Sequence, residues 1–271
     1  MLAYGILSVV LAVAACLLAS FALVVPAWSA LDNVAFTGSS FTLHTPFAAG
    51  VWGYCTDVRM DTSAGSYLGH CVLYQRHAST TNTNSVTIDG TGLCTLETTS
   101  SAYTALLSAS HLDASVFDTF AADACGVSAW LALACIQVVI ALAAIGIVAE
   151  CVALIAGCCG GKRFLQAHAT LVHLTAMMLA LFMAIVTMLA WAVQTPSHVS
   201  YAASFHWLIA AFVFCMASVA CGFKYRIEAL RVASFSPIPL PTRPSVTKDD
   251  DIFGTSQTPY QEEEEQEPAI V

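Results

Sequence analysis

Charge is scarce in this chain. Only 10% of its 271 residues are Asp, Glu, Lys or Arg, whereas about 25% is usual for a soluble domain. Together with 58% hydrophobic residues and a mean hydropathy of +0.73, this scarcity excludes an ordinary soluble protein. Basic residues are the rarest, nine in all, so we expect no nucleic-acid partner. The composition indicates a membrane protein.

Patterns that carry chemistry are missing as well. No cysteine pair has the C-x-x-C spacing and no His/Cys cluster has the spacing of metal ligands, so we expect no metal and no cofactor. Catalysis would require a nucleophile with a base, or paired acids, gathered in one pocket. Few ionisable residues fall in the apolar parts of the chain, and we expect a protein that is not an enzyme.

Two ionisable positions in the apolar runs have more than one interpretation. Glu150 either reaches the membrane interface or pairs with Lys162 or His168 across a helix bundle. His168 and His173 lie five residues apart, so on a helix they point about 140° away from each other and cannot hold one metal ion together. We expect each histidine to make a polar contact between helices.

Four apolar runs are long enough to cross a hydrocarbon core of about 30 Å, which takes about 20 helical residues. The sequence predicts an all-α membrane bundle of four transmembrane helices with a small extracellular antiparallel β-sheet head. The predicted segments are a first helix at 1–26, an outer loop domain at 27–126, a second helix at 127–157, a short cytoplasmic loop at 158–168, a third helix at 169–193, a short outer loop at 194–199, a fourth helix at 200–223 and a disordered tail at 224–271.

The first run could instead be a signal peptide, cleaved near the small residues at 27–29. Against this, the run is longer than a typical signal core and no basic residue precedes it, so we expect a retained helix. Seven of the nine Lys and Arg lie between the second and third runs or after the fourth. Because basic residues near span ends stay cytoplasmic, both termini are predicted to be cytoplasmic.

The outer segment is too long for a simple connector. Alternation of strand-forming and turn residues predicts strands near 35–43, 50–54, 71–74 and 85–88, and apolar spacing predicts a helix over 101–120. Its four cysteines are Cys55, Cys71, Cys94 and Cys125. An oxidising outer compartment allows them two disulfides, in any of three connectivities.

The predicted cytoplasmic parts offer two further sites. Cys158 and Cys159 lie at a membrane boundary beside basic residues, a setting typical of palmitoylation. The tail is Pro-rich and then acidic, which predicts disorder. It ends in Ala269, Ile270 and Val271, where a free carboxylate after apolar residues suits a cytoplasmic binding protein that adds a strand.

Several of these residues carry a resemblance. Pro26-Ala27-Trp28 after the first run, followed by Gly50-Val51-Trp52, Cys55 and Cys71, resembles the signature of the claudin and peripheral-myelin-protein superfamily. Residues 50–55 are also similar to fungal eisosome-associated and PalI-type four-pass proteins. The resemblance implies a claudin-like fold at the plasma membrane, with motif residues Trp28, Gly50, Trp52, Cys55 and Cys71 and a Cys55–Cys71 disulfide. The outer loop is longer than is common in claudins and has two extra cysteines, so no paracellular pore residue is carried over.

The resemblance also implies a function. We expect a non-enzymatic protein that organises membrane domains or surface contacts, packing laterally among membrane lipids as a homo- or hetero-oligomer and recruiting partners by its tail. One alternative is an accessory of an ambient-pH sensing complex, with His44, His70, His77 and His111 or the acidic tail carrying the response. Another is an ion-channel auxiliary subunit, although no run has the repeated polar stripe of an ion pathway.

Overall fold

The structure is a computed structural model that describes residues 2–31, 34–37, 40–61, 65–67, 70–75, 92–158, 163–195 and 199–234. These residues are mostly helical, with one small antiparallel sheet. The helices are α1 (Leu2–Val24), α2 (Ser101–Ser110), α3 (Ala114–Ala124), α4 (Val127–Cys158), α5 (Arg163–Gln194) and α6 (Ala203–Ser234). The strands are β1 (Ser29–Leu31), β2 (Val34–Thr37), β3 (Ser40–Ala49), β4 (Gly53–Asp61), β5 (Gly65–Tyr67), β6 (His70–Leu73) and β7 (Ser200–Tyr201).

Helices α1, α4, α5 and α6 are each long and apolar enough to cross a membrane, so the chain is a multi-pass membrane protein. The last three have 32 residues each, or about 48 Å, more than the hydrocarbon core requires. Compared with the predicted spans, α5 begins six residues earlier, at Arg163, and α6 continues to Ser234. No proline interrupts these extensions, so the helices continue into the more polar residues that flank the apolar runs.

The bundle is built with small side chains inside and large ones outside. Around it α1 packs against α4, α4 against α5, α5 against α6 and α6 against α1. The buried residues of α1 are Gly5, Ser8, Ala12, Ala15, Ala19 and Ala22, at helical spacing along one face. Large apolar residues such as Leu17 and Phe21 face outward. Small residues let helix backbones approach closely in a membrane, where lipid solvates the large ones.

At one end of the bundle lies the head, which comprises the sheet, α2, α3 and a short 3-10 helix (Leu93–Thr95). The strands pair antiparallel in the order β5-β4-β3-β1-β7, with β2 also paired to β3 and β6 to β4. Strand β7 belongs to the connection between α5 and α6, and its two residues fall where the sequence predicts the start of the fourth helix, which begins instead at Ala203. One edge of the sheet is therefore formed by a strand from a distant part of the chain.

One local prediction for the head was confirmed and one was wrong. Residues 101–120 are helical as predicted, with one break, because His111 takes the left-handed conformation (φ 55°) that ends α2 and Asp113 precedes the first turn of α3. Residues 35–43 fall on a hairpin of β2 and β3 rather than on one strand. The predicted strand at 85–88 and the tail beyond residue 234 lie outside the described residues.

Candidate functional site

The motif residues meet where the head joins the bundle, and Trp28 is at the centre of this junction. Its side chain is fully buried, and its indole N–H donates to the Ala22 carbonyl in the last turn of α1. Its ring packs against Trp191 of α5 (centroids 5.3 Å apart) and Phe205 of α6 (6.2 Å). The indole of Trp191 in turn donates to Ser29 Oγ at 2.9 Å. One tryptophan thus touches three of the four long helices.

Backbone hydrogen bonds complete the junction. The Trp28 N–H donates to Ala49 O at 2.9 Å, and the Trp28 carbonyl accepts from Ala202 N at 2.8 Å. The Ser204 N–H donates to Ala27 O at 2.8 Å. These bonds join the start of β1 to the end of β3 and to the segment that opens α6. The head and the helices are thereby linked at several points of the chain.

The glycines of the motif permit close backbone contact. A Cβ at Gly50 would lie 2.7 Å from Cα of Pro26, and a Cβ at Gly53 would collide with the Val72 carbonyl oxygen. Both contacts are closer than any ordinary one, so only glycine fits. Between these glycines, Trp52 donates its indole N–H to Val24 O at 3.2 Å. The turn that leads into β4 therefore contacts the head-side end of α1 directly.

Two disulfides tie the head together. Cys55 and Cys71 are directly opposite each other on β4 and β6 and are bonded. Cys94, in the 3-10 helix, is bonded to Cys125 at the end of α3. The sequence separations of 16 and 31 residues correspond to about 3 and 4 kcal/mol of loop-closure entropy removed from the unfolded chain.

Beneath α2 and α3 the head has an aromatic core. Phe120 packs edge to face on Phe47, with ring centroids 5.2 Å apart, and Tyr54 and Tyr74 are buried beside it. Both tyrosine hydroxyls lack a hydrogen-bond partner. Burial raises the pKa of Tyr54 and of Tyr74, each with a smaller contribution from a neighbouring tyrosine. This core holds the short helices on the sheet.

Within the bundle, polar side chains from the helices converge on His173. Its Nδ1 lies 2.9 Å from Gly146 O of α4, and its Nε2 lies 3.0 Å from Ser8 Oγ of α1. A carbonyl can only accept, so Nδ1 carries the proton. The single proton of the Ser8 hydroxyl lies within reach of both His173 Nε2 and the Ser218 carbonyl, each at 3.0 Å. The Ser218 hydroxyl of α6 donates to Ser8 O at 2.9 Å. A Cβ at Gly222 would approach the ring to 3.0 Å, so that glycine makes room for it.

This cluster has a serine beside a histidine, which is also the arrangement of a nucleophile and its base. Ser8, His173 and Ser218 are all fully buried, so the Ser8 hydroxyl meets no solvent in this conformation. The second partner of the ring is a carbonyl rather than a carboxylate. Among the described residues no group of three His, Cys, Asp or Glu could hold a metal ion. The arrangement therefore joins four helices through one imidazole.

Glu150 lies one turn further along α4 and differs from the sequence-based expectations. It is 0% exposed, so it does not reach the interface, and neither carboxylate oxygen has a hydrogen-bond partner. His168, its predicted partner, is exposed and bonds instead to Phe164 O. Lys162 lies outside the described residues. His168 and His173 do face different ways, as helical periodicity predicts.

Other predicted sites fall at the edges of the structure. Cys158 is exposed at the last residue of α4, while Cys159 lies outside the described residues. The docking residues Ala269, Ile270 and Val271 also lie outside them. No sequence pattern predicts the convergence of Ser8, Gly146 and Ser218, since each is a single small residue in an apolar run. No protein-family profile and no curated protein matches the chain.

Proposed function

We propose that this protein is a non-enzymatic organiser of membrane domains or surface contacts, a claudin-like four-pass protein of the plasma membrane with cytoplasmic termini. The observation that supports this best is the junction around Trp28. Because this side chain packs on helices α5 and α6 and bonds to the end of α1, a contact made by the head is transmitted to all these helices. A protein whose head and helices are joined in this way can restrain neighbouring membrane proteins by contact alone, without catalysing a reaction.

The outward surface of the bundle supports lateral packing. Large apolar side chains cover it, and Trp130 on α4 is 58% exposed close to the head. Such a surface is solvated by lipid tails or by the helices of another copy. We propose that the protein forms homo- or hetero-oligomers there. Palmitoylation of Cys158 and Cys159 and docking of a cytoplasmic protein on the tail remain part of the proposal.

Photobleaching recovery of a fluorescent fusion in its native cell tests this function. We expect stable patches that recover slowly and do not respond to external pH. A variant that ends at residue 235 separates two sources of order, because it retains all the described residues. Slow recovery of that variant would assign the organising contacts to the head and bundle, whereas fast recovery would assign them to the tail. A uniformly mobile pool of the full chain at every pH would contradict the proposal.

The pH-sensing alternative has less support from the described residues. Of the four head histidines, only His111 has a described side chain, and it is exposed at the end of α2. The same photobleaching experiment separates the two functions. Patches that form or disappear after a shift in external pH, and that no longer respond when His44, His70, His77 and His111 are replaced together, would favour the sensing accessory over the organiser.

A further inference from the structure

Glu150 is buried in the bundle with neither carboxylate oxygen hydrogen-bonded, and polar side chains lie on both sides of it along the helices. It lies eight residues, or about 12 Å, from the end of α4 that is opposite the head. A helical side chain leans toward the N-terminus of its helix and covers the preceding turn. For Glu150 that turn contains Gly146, whose carbonyl accepts from His173. The Glu150 side chain is therefore directed toward the turn of α4 whose carbonyl binds the imidazole.

On the other side of Glu150, polar contacts continue toward the end of the bundle. The Tyr225 hydroxyl of α6 lies 3.5 Å from the carbonyl of Ala153, three residues after Glu150 on α4. It also accepts a hydrogen bond from Gln166 Nε2 at 2.8 Å. Gln166 is only partly buried, in the first turn of α5. The side chains in order are Gln166, Tyr225, Glu150, His173, Ser8 and Ser218, and we call this series the polar file.

The polar file ends inside the membrane. On the head side of His173 the bundle contains a wholly apolar cluster, formed by Ala12, Ala15, Met177, Leu181 and Cys215. Met177 comes one turn after His173 on α5 and also packs against Gly146, where an added Cβ would lie 3.0 Å from the Met177 sulfur. The file therefore communicates with water at Gln166 and is closed toward the head, so it is not a route across the membrane.

The energetic cost of Glu150 indicates which ion it binds. An ionised carboxylate buried without a partner is very costly in an apolar medium, and such groups inside membranes are usually functional. No Lys or Arg side chain among the described residues contacts it: Lys224 is exposed and bonds to Tyr4. The titratable groups of the file besides Glu150 are His173 of α5 and Tyr225 of α6, and α1 contributes the Ser8 hydroxyl. With no fixed cation beside it in the part of the chain that the structure describes, a proton is the ion that neutralises the carboxylate.

We propose that Glu150 is an intramembrane proton-binding site, loaded and emptied only from the end of the bundle opposite the head. In the loaded form a proton is bonded to one carboxyl oxygen. On release this O–H bond breaks, the electron pair stays on the carboxylate, and the proton passes by the Tyr225 hydroxyl to water at Gln166. On the head side of Glu150 the Nδ1–H of His173 is occupied by its bond to the Gly146 carbonyl, one turn earlier on α4. This site is independent of the proposed organising function.

Infrared difference spectroscopy of the purified full chain in lipid vesicles tests the site, with the accessible side fixed by protease digestion of the tail. We expect an absorption band from the carbonyl stretch of a protonated carboxylic acid. The band should be absent from Glu150→Gln. It should remain in the control Glu97→Gln, which alters an exposed carboxylate of the head. The band should weaken at alkaline pH when the medium on the Gln166 side is changed, and not when only the other side is changed. Tyr225→Phe should slow this response while the band remains.

Three results would overturn the proposal. They are the absence of a band that Glu150→Gln removes, a band that ignores the pH on both sides, and a band that responds equally from the head side. Glu150→Gln keeps the size of the side chain and needs no proton, so we expect it to fold and to elute like the native chain. If it does not fold, the pH response of the native band and its slowing in Tyr225→Phe still decide the question.

Discussion

Replacing Trp28 by alanine should detach the head from the bundle. The side chain is fully buried, and removing a buried aromatic costs about 3–5 kcal/mol. The substitution also removes the packing on Trp191 and the hydrogen bond to Ala22 O. These contributions overlap, so we expect a loss of about 4 kcal/mol in all, which lowers the Tm by on the order of 10 °C.

The assay is thermal denaturation of a fluorescent fusion in mild detergent, followed as the fraction that still elutes as a single species by size exclusion. Trp130→Ala is the matched control, because the same change is made to a tryptophan that is 58% exposed. It should shift the Tm by no more than a few degrees. Trp28→Phe should fall between the two, since it keeps a ring but loses the indole N–H. Equal shifts for Trp28→Ala and Trp130→Ala would refute the central role of Trp28.

Three further predictions concern the head. Replacing Cys94 and Cys125 together by serine should lower the free energy of unfolding by about 4 kcal/mol, measured by the same assay; a Tm within a degree of the native value would contradict this. Gly50→Ala should retain the protein in the secretory pathway because its Cβ would lie 2.7 Å from Pro26, and normal surface delivery would count against that contact. Burial raises the pKa of Tyr54 above its unfolded value, so the folded state holds a proton that the unfolded state loses: stability should persist below about pH 10 and fall as the pH rises further. Tyr54→Phe should lessen this alkaline loss, and an unchanged pH profile would show that Tyr54 does not contribute.

The sequence was informative where one local pattern is sufficient. Each membrane helix is a continuous apolar run, so its existence can be predicted without its neighbours. The spacing of His168 and His173 likewise predicts that they face apart. The ends of the helices are harder to predict from the sequence. Arg163 and Ser234 are helical because no helix-breaking residue stands at the boundary of the apolar run. The break at His111 depends on one left-handed residue, which apolar periodicity does not reveal.

What the sequence could not predict depends on contacts between distant residues. Cysteine spacing alone left three pairings open in the head. The Cys55–Cys71 bond that the resemblance implies is present, and it follows from the register that puts Cys55 opposite Cys71, which the whole sheet sets. Strand β7 has two residues, too few for any pattern. Glu150 looked interfacial because it lies near the end of an apolar run. Its burial depends on which face of α4 is directed toward the inside of the bundle.

Counting the photobleaching steps of single fluorescent spots in native membranes tests the organising role most directly. The fusion is expressed at its natural level, so that crowding by excess protein does not create clusters. If the head and bundle pack laterally, most spots should lose their fluorescence in several steps, and a chain that ends at residue 235 should give the same distribution. Single-step spots that diffuse independently would contradict the proposal that this protein organises the membrane by lateral packing.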